Sequence, residues 1–257
     1  MSKFGKRRCV FCDGQPVTRE HAIPLWLTRH PLFSEYVKNF DHSPRIQLRT
    51  QPAGSDVMLI QPQIFGTPQL NSITVKAVCK SCNGGWMSRL EDRVRAPLNA
   101  LMTGSEDVIQ APDVEALHHW AIKSSFMFQL VDQTTRTVTQ EQLQACAANP
   151  SAVPAADVFA SRYSGEDSIW PCHGKFVISR ASELRHQLGV CGVTTIVLGR
   201  LAIAVVAASN EESKSRIQTK LDPKLARWDR LERGQGLALD GDAVAKSDVY
   251  DLTSPVL

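Results

Sequence analysis

The sequence predicts an α+β protein, with an N-terminal zinc module followed by a second α+β region. Three observations carry this expectation. Two Cys-x2-Cys pairs, Cys9/Cys12 and Cys79/Cys82, have the spacing at which one turn of backbone turns two thiolates toward a single tetrahedral ion. From about residue 83 to 146, apolar residues recur at helical spacing. From about 156 to 208 the chain changes to strand-length runs rich in Val, Ile, Ala and Phe. The 257 residues suffice for one or two domains with a sizeable core. We place the division at 1–105 and 106–257.

In chain order, Asp13-Gly14 marks a turn after the first cysteine pair. Residues 15–24 read as a short strand that carries Glu20-His21 and stops at Pro24. Residues 25–30 form a helical turn. Residues 31–72, punctuated by Pro44, Pro52, Pro62, Pro68, Gly54 and Gly66, read as an insertion between the two halves of the module. Arg45 and Arg49 within it are available for substrate contacts, and equally for packing. Residues 56–61 and 72–79 look like strands.

A helix is expected from Cys82 or Asn83 to about Met102, with Leu90, Val94, Leu98 and Leu101 on its buried stripe and Arg89, Arg93 and Arg95 on its solvent side. Pro97 should kink or divide it. Gly84 and Gly85 should allow close backbone approach to the cysteine knuckle. A second helix runs from about 114 to 133, with Leu117, Ala121, Ser125, Phe126 and Leu130 at helical spacing; Thr139 caps a third, reaching 146. His118 and His119 are adjacent on a helix, so they do not share a face and read as structural. Trp26 and Trp86 read as core.

Strands follow at 157–163, 174–180, 191–198 and 201–207. Residues 188–208 are apolar enough to be mistaken for a membrane span, but Arg200 lies within them and Gly192 and Gly199 interrupt them. An Arg at a span centre costs about 2.5–3.5 kcal/mol on insertion scales, so two buried strands joined at Gly199-Arg200 explain the run better. A short helix is expected at 223–233. No internal repeat is present.

Charge is unevenly distributed. Residues 1–105 carry 14 Lys and Arg against 7 Asp and Glu, and the remainder 15 against 19. A basic first part suits a polyanion. The basic N-terminus passes into Cys9 without an apolar stretch, so no export signal is expected and a cytoplasmic location follows. In a reducing compartment the paired cysteines serve better as zinc ligands than as disulfides. Cys146, Cys172 and Cys191 are scattered; Cys172-His173 lacks a second knuckle and is assigned no metal, and Cys146 and Cys191 read as small buried residues.

Cys9-x2-Cys12, then Glu20-His21-Ala22-Ile23-Pro24, then Cys79-x2-Cys82-Asn83 resembles the HNH endonuclease superfamily. It is most similar to the four-cysteine branch that includes recombination endonuclease VII-type proteins. The likeness covers about residues 7–95 without the insertion. It implies a ββα-metal fold whose hairpin bears the acid-His pair and whose helix bears the Asn. Carried over by position, Glu20 and Asn83 would hold a catalytic Mg²⁺ or Mn²⁺, His21 would be the general base, and Cys9, Cys12, Cys79 and Cys82 would hold structural zinc. Arg19, Arg89 and Arg93 are candidate nucleic-acid contacts. The acid is Glu where the superfamily more often has Asp. Glu91 could add a ligand, although a surface or structural role is the commoner use.

The donor chemistry agrees: hard divalent cations prefer carboxylate and amide oxygen, and a neutral imidazole can take a proton from water near pH 7. The reading is therefore a metal-dependent endonuclease hydrolysing phosphodiester bonds, with DNA as the substrate the resemblance implies and nucleic acid as partner. A homodimer would supply two active centres for cutting both strands; no heptad specifies one. The alternative is a non-catalytic zinc-stabilised module that binds nucleic acid or a protein.

Overall fold

The computed structural model describes residues 8–33, 57–64, 73–131, 137–148, 155–165, 169–180, 183–232 and 234–253. Its first layer is an antiparallel pair followed by a helix. Strand β1 (Val17–His21) pairs with β3 (Thr74–Cys79), with Val17 opposite Cys79 and His21 opposite Thr74. Helix α1 (Leu25–Thr28) follows β1 after Pro24, which pre-sets the helical φ. The cysteine turn 80–82 leads through a wider turn, Asn83–Met87, into α2 (Ser88–Thr103).

Two details of α2 differ from expectation. Pro97 lies inside the helix without dividing it. The break falls at Gly85, whose φ of −101° and ψ of −108° are not helical. A Cβ at Gly84 or Gly85 would meet nothing within 4 Å, so neither glycine is needed for close approach to the knuckle. That role belongs to Gly14, where a Cβ would lie 3.2 Å from Cys12 Sγ and 3.4 Å from Cys79 Sγ. Gly104, at φ +68°, closes α2 in the left-handed conformation glycine tolerates.

The large sheet contains β5 (Ala156–Arg162), β6 (Ile169–Arg180), β7 (Glu183–Leu198), β8 (Leu201–Ala208) and β9 (Asp229–Arg230). Strand β2 (Val57–Ile64) lies within the segment read as an insertion, yet it pairs with β6 in this sheet. Among the described residues the sheet has six strands, all antiparallel, in the order β2-β6-β7-β8-β5-β9. A small pair, β4 (Val108–Ile109) with β10 (Leu237–Ala238), stands apart. Arg45 and Arg49 lie outside the described residues.

Strand alternation explains the two cores. Leu201, Ile203, Val205 and Ala207 of β8 join the core that also contains Leu98, Leu117, Trp120 and Phe126. Ala202, Ala204, Val206 and Ala208 face the other way, onto Ile217, Leu221, Val249 and Leu252. Helices α3 (Ala111–Val131) and α4 (Gln140–Ala148) therefore cover one face of the sheet, and α5 (Glu211–Leu225) and α6 (Lys246–Thr253) the other. With both faces buried, β7 and β8 read as one apolar run. Among the described residues no helix is long and apolar enough to cross a membrane.

The helix expected at 223–233 is displaced. Asn210 caps α5 by accepting from the Ser213 N–H at 2.8 Å, and Pro223 falls in its last turn. Thr139 caps α4 as expected: its Oγ1 accepts from Gln142 N–H at 3.2 Å, while Gln142 Oε1 accepts from Thr139 N–H at 2.7 Å, a reciprocal capping box.

The β7–β8 turn is pinned to the first layer. Arg200 N–H donates to Met102 O at 2.9 Å, and Gly199 sits at φ +57°, where a Cβ would lie 2.4 Å from that same carbonyl. Gly199→Ala is expected to lower the unfolding free energy by at least about 1–2 kcal/mol, read as a lower urea midpoint at unchanged slope. An unchanged midpoint contradicts this packing.

Candidate active site

Four sulfurs converge at the end of the β1–β3 pair. The Sγ atoms of Cys9, Cys12, Cys79 and Cys82 all lie within 4.8 Å of one another. Cys12 Sγ is 3.5 Å from Cys79 Sγ and 3.4 Å from Cys82 Sγ. A tetrahedron with Zn–S of about 2.3 Å has edges of about 3.8 Å, so the cluster could hold a metal ion such as zinc. Local backbone bonds shape both knuckles: Cys9 N–H donates to Gly14 O, Asp13 N–H to Cys9 O, and Cys82 N–H to Cys79 Sγ.

Neighbouring elements anchor the first knuckle. Val10 N–H donates to Ala77 O of β3 at 3.0 Å, and Gln140 Nε2 of α4 donates to Val10 O at 2.6 Å. Phe11 meets Trp86 edge-on, and His119 stacks flat on the other ring contact of Trp86 at 5.3 Å. Trp86 and His119 are thus packing partners that brace the two knuckles against α3, as expected for structural residues.

The thiols do not ionise alike. Burial opposes charge on Cys79, but hydrogen bonds from Ser81, Cys82 N–H and Cys12 outweigh it and bring Cys79 down to about 6. Burial pushes Cys12 and Cys82 up. Without a cation the cluster favours one thiolate; a bound divalent ion would favour all four.

Beside this cluster lies a cleft of ≈ 360 Å³ whose walls include Arg19, Glu20, His21, Asn83, Ser88 and Glu91. Three consecutive residues of a regular strand cannot all face one cleft. A bulge between Thr18 and Glu20, and the end of β1 at His21, interrupt that alternation, and Arg19, Glu20 and His21 all line the cleft. Asn83 reaches the cleft because it directly follows Cys82 at the start of the wide turn. Its Nδ2 donates weakly to Thr18 Oγ1 at 3.4 Å and Arg19 O at 3.5 Å, and its side chain also hydrogen-bonds the Glu20 carboxylate. The three residues assigned to the catalytic centre from sequence, Glu20, His21 and Asn83, are therefore neighbours although 63 positions separate the first from the last.

The sequence reading missed Lys123. This side chain of α3 is fully buried, and its Nζ donates to Glu20 Oε1 at 3.3 Å and to Glu91 Oε1 at 2.8 Å. Lysine is almost never fully buried unless paired. A lone lysine within residues 120–130, a run otherwise free of charged residues, was the available signal. Burial pushes the Glu20 carboxyl above its usual range; Lys123 opposes that shift and Glu91 adds to it.

The candidate arginines separate. Arg19 is exposed at the cleft. Arg93 is exposed on α2, where its Nη2 donates to Pro112 O at 2.9 Å and lies 3.9 Å from Glu115, tying α2 to the start of α3. Arg89, four residues earlier, is also exposed and shares that side of the helix. Arg95 lies over the Trp26 ring at 5.2 Å.

Comparison with protein-family models, with curated proteins and with solved structures finds no match to this chain.

The cluster leads to a prediction about stability. The protein is expected to carry one zinc per chain, and Cys9→Ser and Cys79→Ser to lose it and unfold at lower temperature. Thiolates held below their ordinary pKa by an ion contribute stability above that range and lose it as pH falls, so zinc should be released on acidification. Metal analysis and thermal unfolding check both statements; metal-free protein with an unchanged transition contradicts them.

Proposed function

We propose that this chain is a metal-dependent endonuclease that hydrolyses phosphodiester bonds in DNA, through a ββα-metal centre of the HNH type. The observation that carries this reading is the shared cleft of Glu20, His21 and Asn83 beside the four-cysteine cluster. A zinc scaffold alone requires none of the three. The order strand, strand, helix, with the acid-His pair on the first strand and the Asn at the helix approach, also fits.

The hard oxygen donors of Glu20 and Asn83 suit Mg²⁺ or Mn²⁺. Such an ion supplies charge stabilisation to the phosphoryl and leaving-group oxygens when bound. His21 accepts the proton of the attacking water with its neutral imidazole. Arg19, exposed at the rim, holds a neighbouring phosphate. The four-cysteine cluster holds zinc, fixing the end of β3 and the position of Asn83, which follows it directly. The basic first 105 residues favour a polyanionic substrate.

One observation favours a second reading. Lys123 already pairs with the carboxylate assigned to the catalytic ion, as expected if the module were a non-catalytic zinc scaffold for binding nucleic acid or a protein. Incubation of supercoiled plasmid with the purified protein and Mg²⁺ or Mn²⁺ separates the two. The nuclease reading expects nicking that falls at least about 100-fold in His21→Ala, with zinc content unchanged. Nicking equal in both proteins removes His21 as base; cleavage by neither, with zinc bound, favours the scaffold.

A further inference from the structure

Most features of this fold are consumed by packing. His119 stacks on Trp86, and Asp157 is paired with Lys214 and Arg230. The Ser125–Thr194–His173 chain of hydrogen bonds lies in the interior between α3 and the sheet. Lys123 is different. It is a fully buried cation of α3 that pairs with Glu20 and Glu91, two of the residues lining the cleft on which the catalytic reading depends.

We propose that Lys123 is the resident counter-ion of this cleft, and that it keeps a divalent cation weakly bound until the phosphate of a nucleic acid supplies the missing negative charge. This rests on the nuclease reading for the identity of the phosphate. The charges at the cleft are those of Glu20, Glu91 and Lys123, with Arg19 exposed to solvent at the rim and the imidazole of His21 neutral as a base. Two carboxylates and one ammonium leave the inner group at −1. A divalent ion brings it to +1, and one phosphodiester then brings it to zero. The inner group is thus most nearly neutral with metal and phosphate present together.

Position supports this role. Lys123 donates to one oxygen of each carboxylate, Oε1 in both cases. Glu91 is the more exposed partner, its side chain 19% accessible against 9% for Glu20. The ammonium therefore offsets the mutual repulsion of two carboxylates that would otherwise face each other across a partly dry space. Magnesium-type ions are commonly held by one or two carboxylates together with substrate phosphates. A lysine paired with both carboxylates tilts the site toward that joint occupation.

The test is calorimetric titration of Mn²⁺ into the zinc-loaded full chain at pH 8, without nucleic acid, so that it reads binding and not cleavage. Lys123→Met takes the inner charge to −2 and should bind Mn²⁺ roughly tenfold tighter or more than the wild type. Glu91→Gln takes it to zero and should bind more weakly, with the double variant between the two. A short phosphorothioate duplex should tighten Mn²⁺ binding by the wild type and do so less in Lys123→Met. Mn²⁺ binding by Lys123→Met that is equal to or weaker than the wild type overturns the proposal. If that variant does not fold, Glu91→Gln decides alone, and unchanged or tighter binding overturns it. The affinity order failing while the plasmid is still nicked rejects the counter-ion alone; the order holding without any response to the duplex, and without nicking, rejects the nuclease reading instead.

Discussion

Four sulfurs brought within 4.8 Å from segments some seventy residues apart are a poor packing motif by themselves. As thiolates they repel, and as thiols they make weak hydrogen bonds. A tetrahedral cation would turn the same geometry into a strong local constraint, since structural zinc in small modules is worth about 10–16 kcal/mol. Much else in the first layer depends on that point. It joins the start of β1 to the end of β3, sets the register that opposes Val17 to Cys79, and starts the turn that delivers Asn83 to the cleft. The cleft is then a consequence of the knuckles, a bulge and a strand end.

The second constraint is the central helix. α3 lies between the first layer and the large sheet, so it has almost no solvent face. Residues on its opposite sides serve different neighbours: His119 and Lys123 meet Trp86, Glu20 and Glu91, while Ser125 meets Thr194 of the sheet. Burying Lys123 is costly unless its charge is matched, and it is matched by two carboxylates of the first layer. The helix is thereby tied to the cleft by ionic contacts as well as apolar packing. Residues after 105 thus reach the cleft through the ion pairs of Lys123 with two of its lining carboxylates.

Much of this was legible from residue patterns, for identifiable reasons. The cysteine spacing is a direct readout of ligand geometry, and Glu20, His21 and Asn83 were placed together by a motif that needs them together. The strand pair at Gly199-Arg200 was legible because glycine marks the turn and Arg200 argues against a membrane span. Other features were hidden because they depend on partners distant in sequence. Nothing in 57–64 announces pairing with β6, which sits more than a hundred residues later. Helix α5 was masked by a polar sequence, since its amphipathic face is narrow; Asn210 before Glu211-Glu212 was the cap signal. Lys123 was passed over because lysine usually lies in solvent, and only the tertiary fold brings two carboxylates to it. Pro97 misled in the other direction: it belongs to the buried face of α2, which continues past it.

The central claim is that one chain holds two distinct cation sites, a sulfur cage that organises the fold and an oxygen-lined cleft beside it that serves chemistry. Anomalous diffraction from crystals grown with zinc and a short phosphorothioate duplex and soaked in Mn²⁺, collected at both metal edges, tests it most directly. The account predicts zinc signal at Cys9, Cys12, Cys79 and Cys82, and manganese signal at Glu20 and Asn83. Manganese absent from the cleft, with zinc in the cage, would contradict the second site and leave a scaffold with one ion.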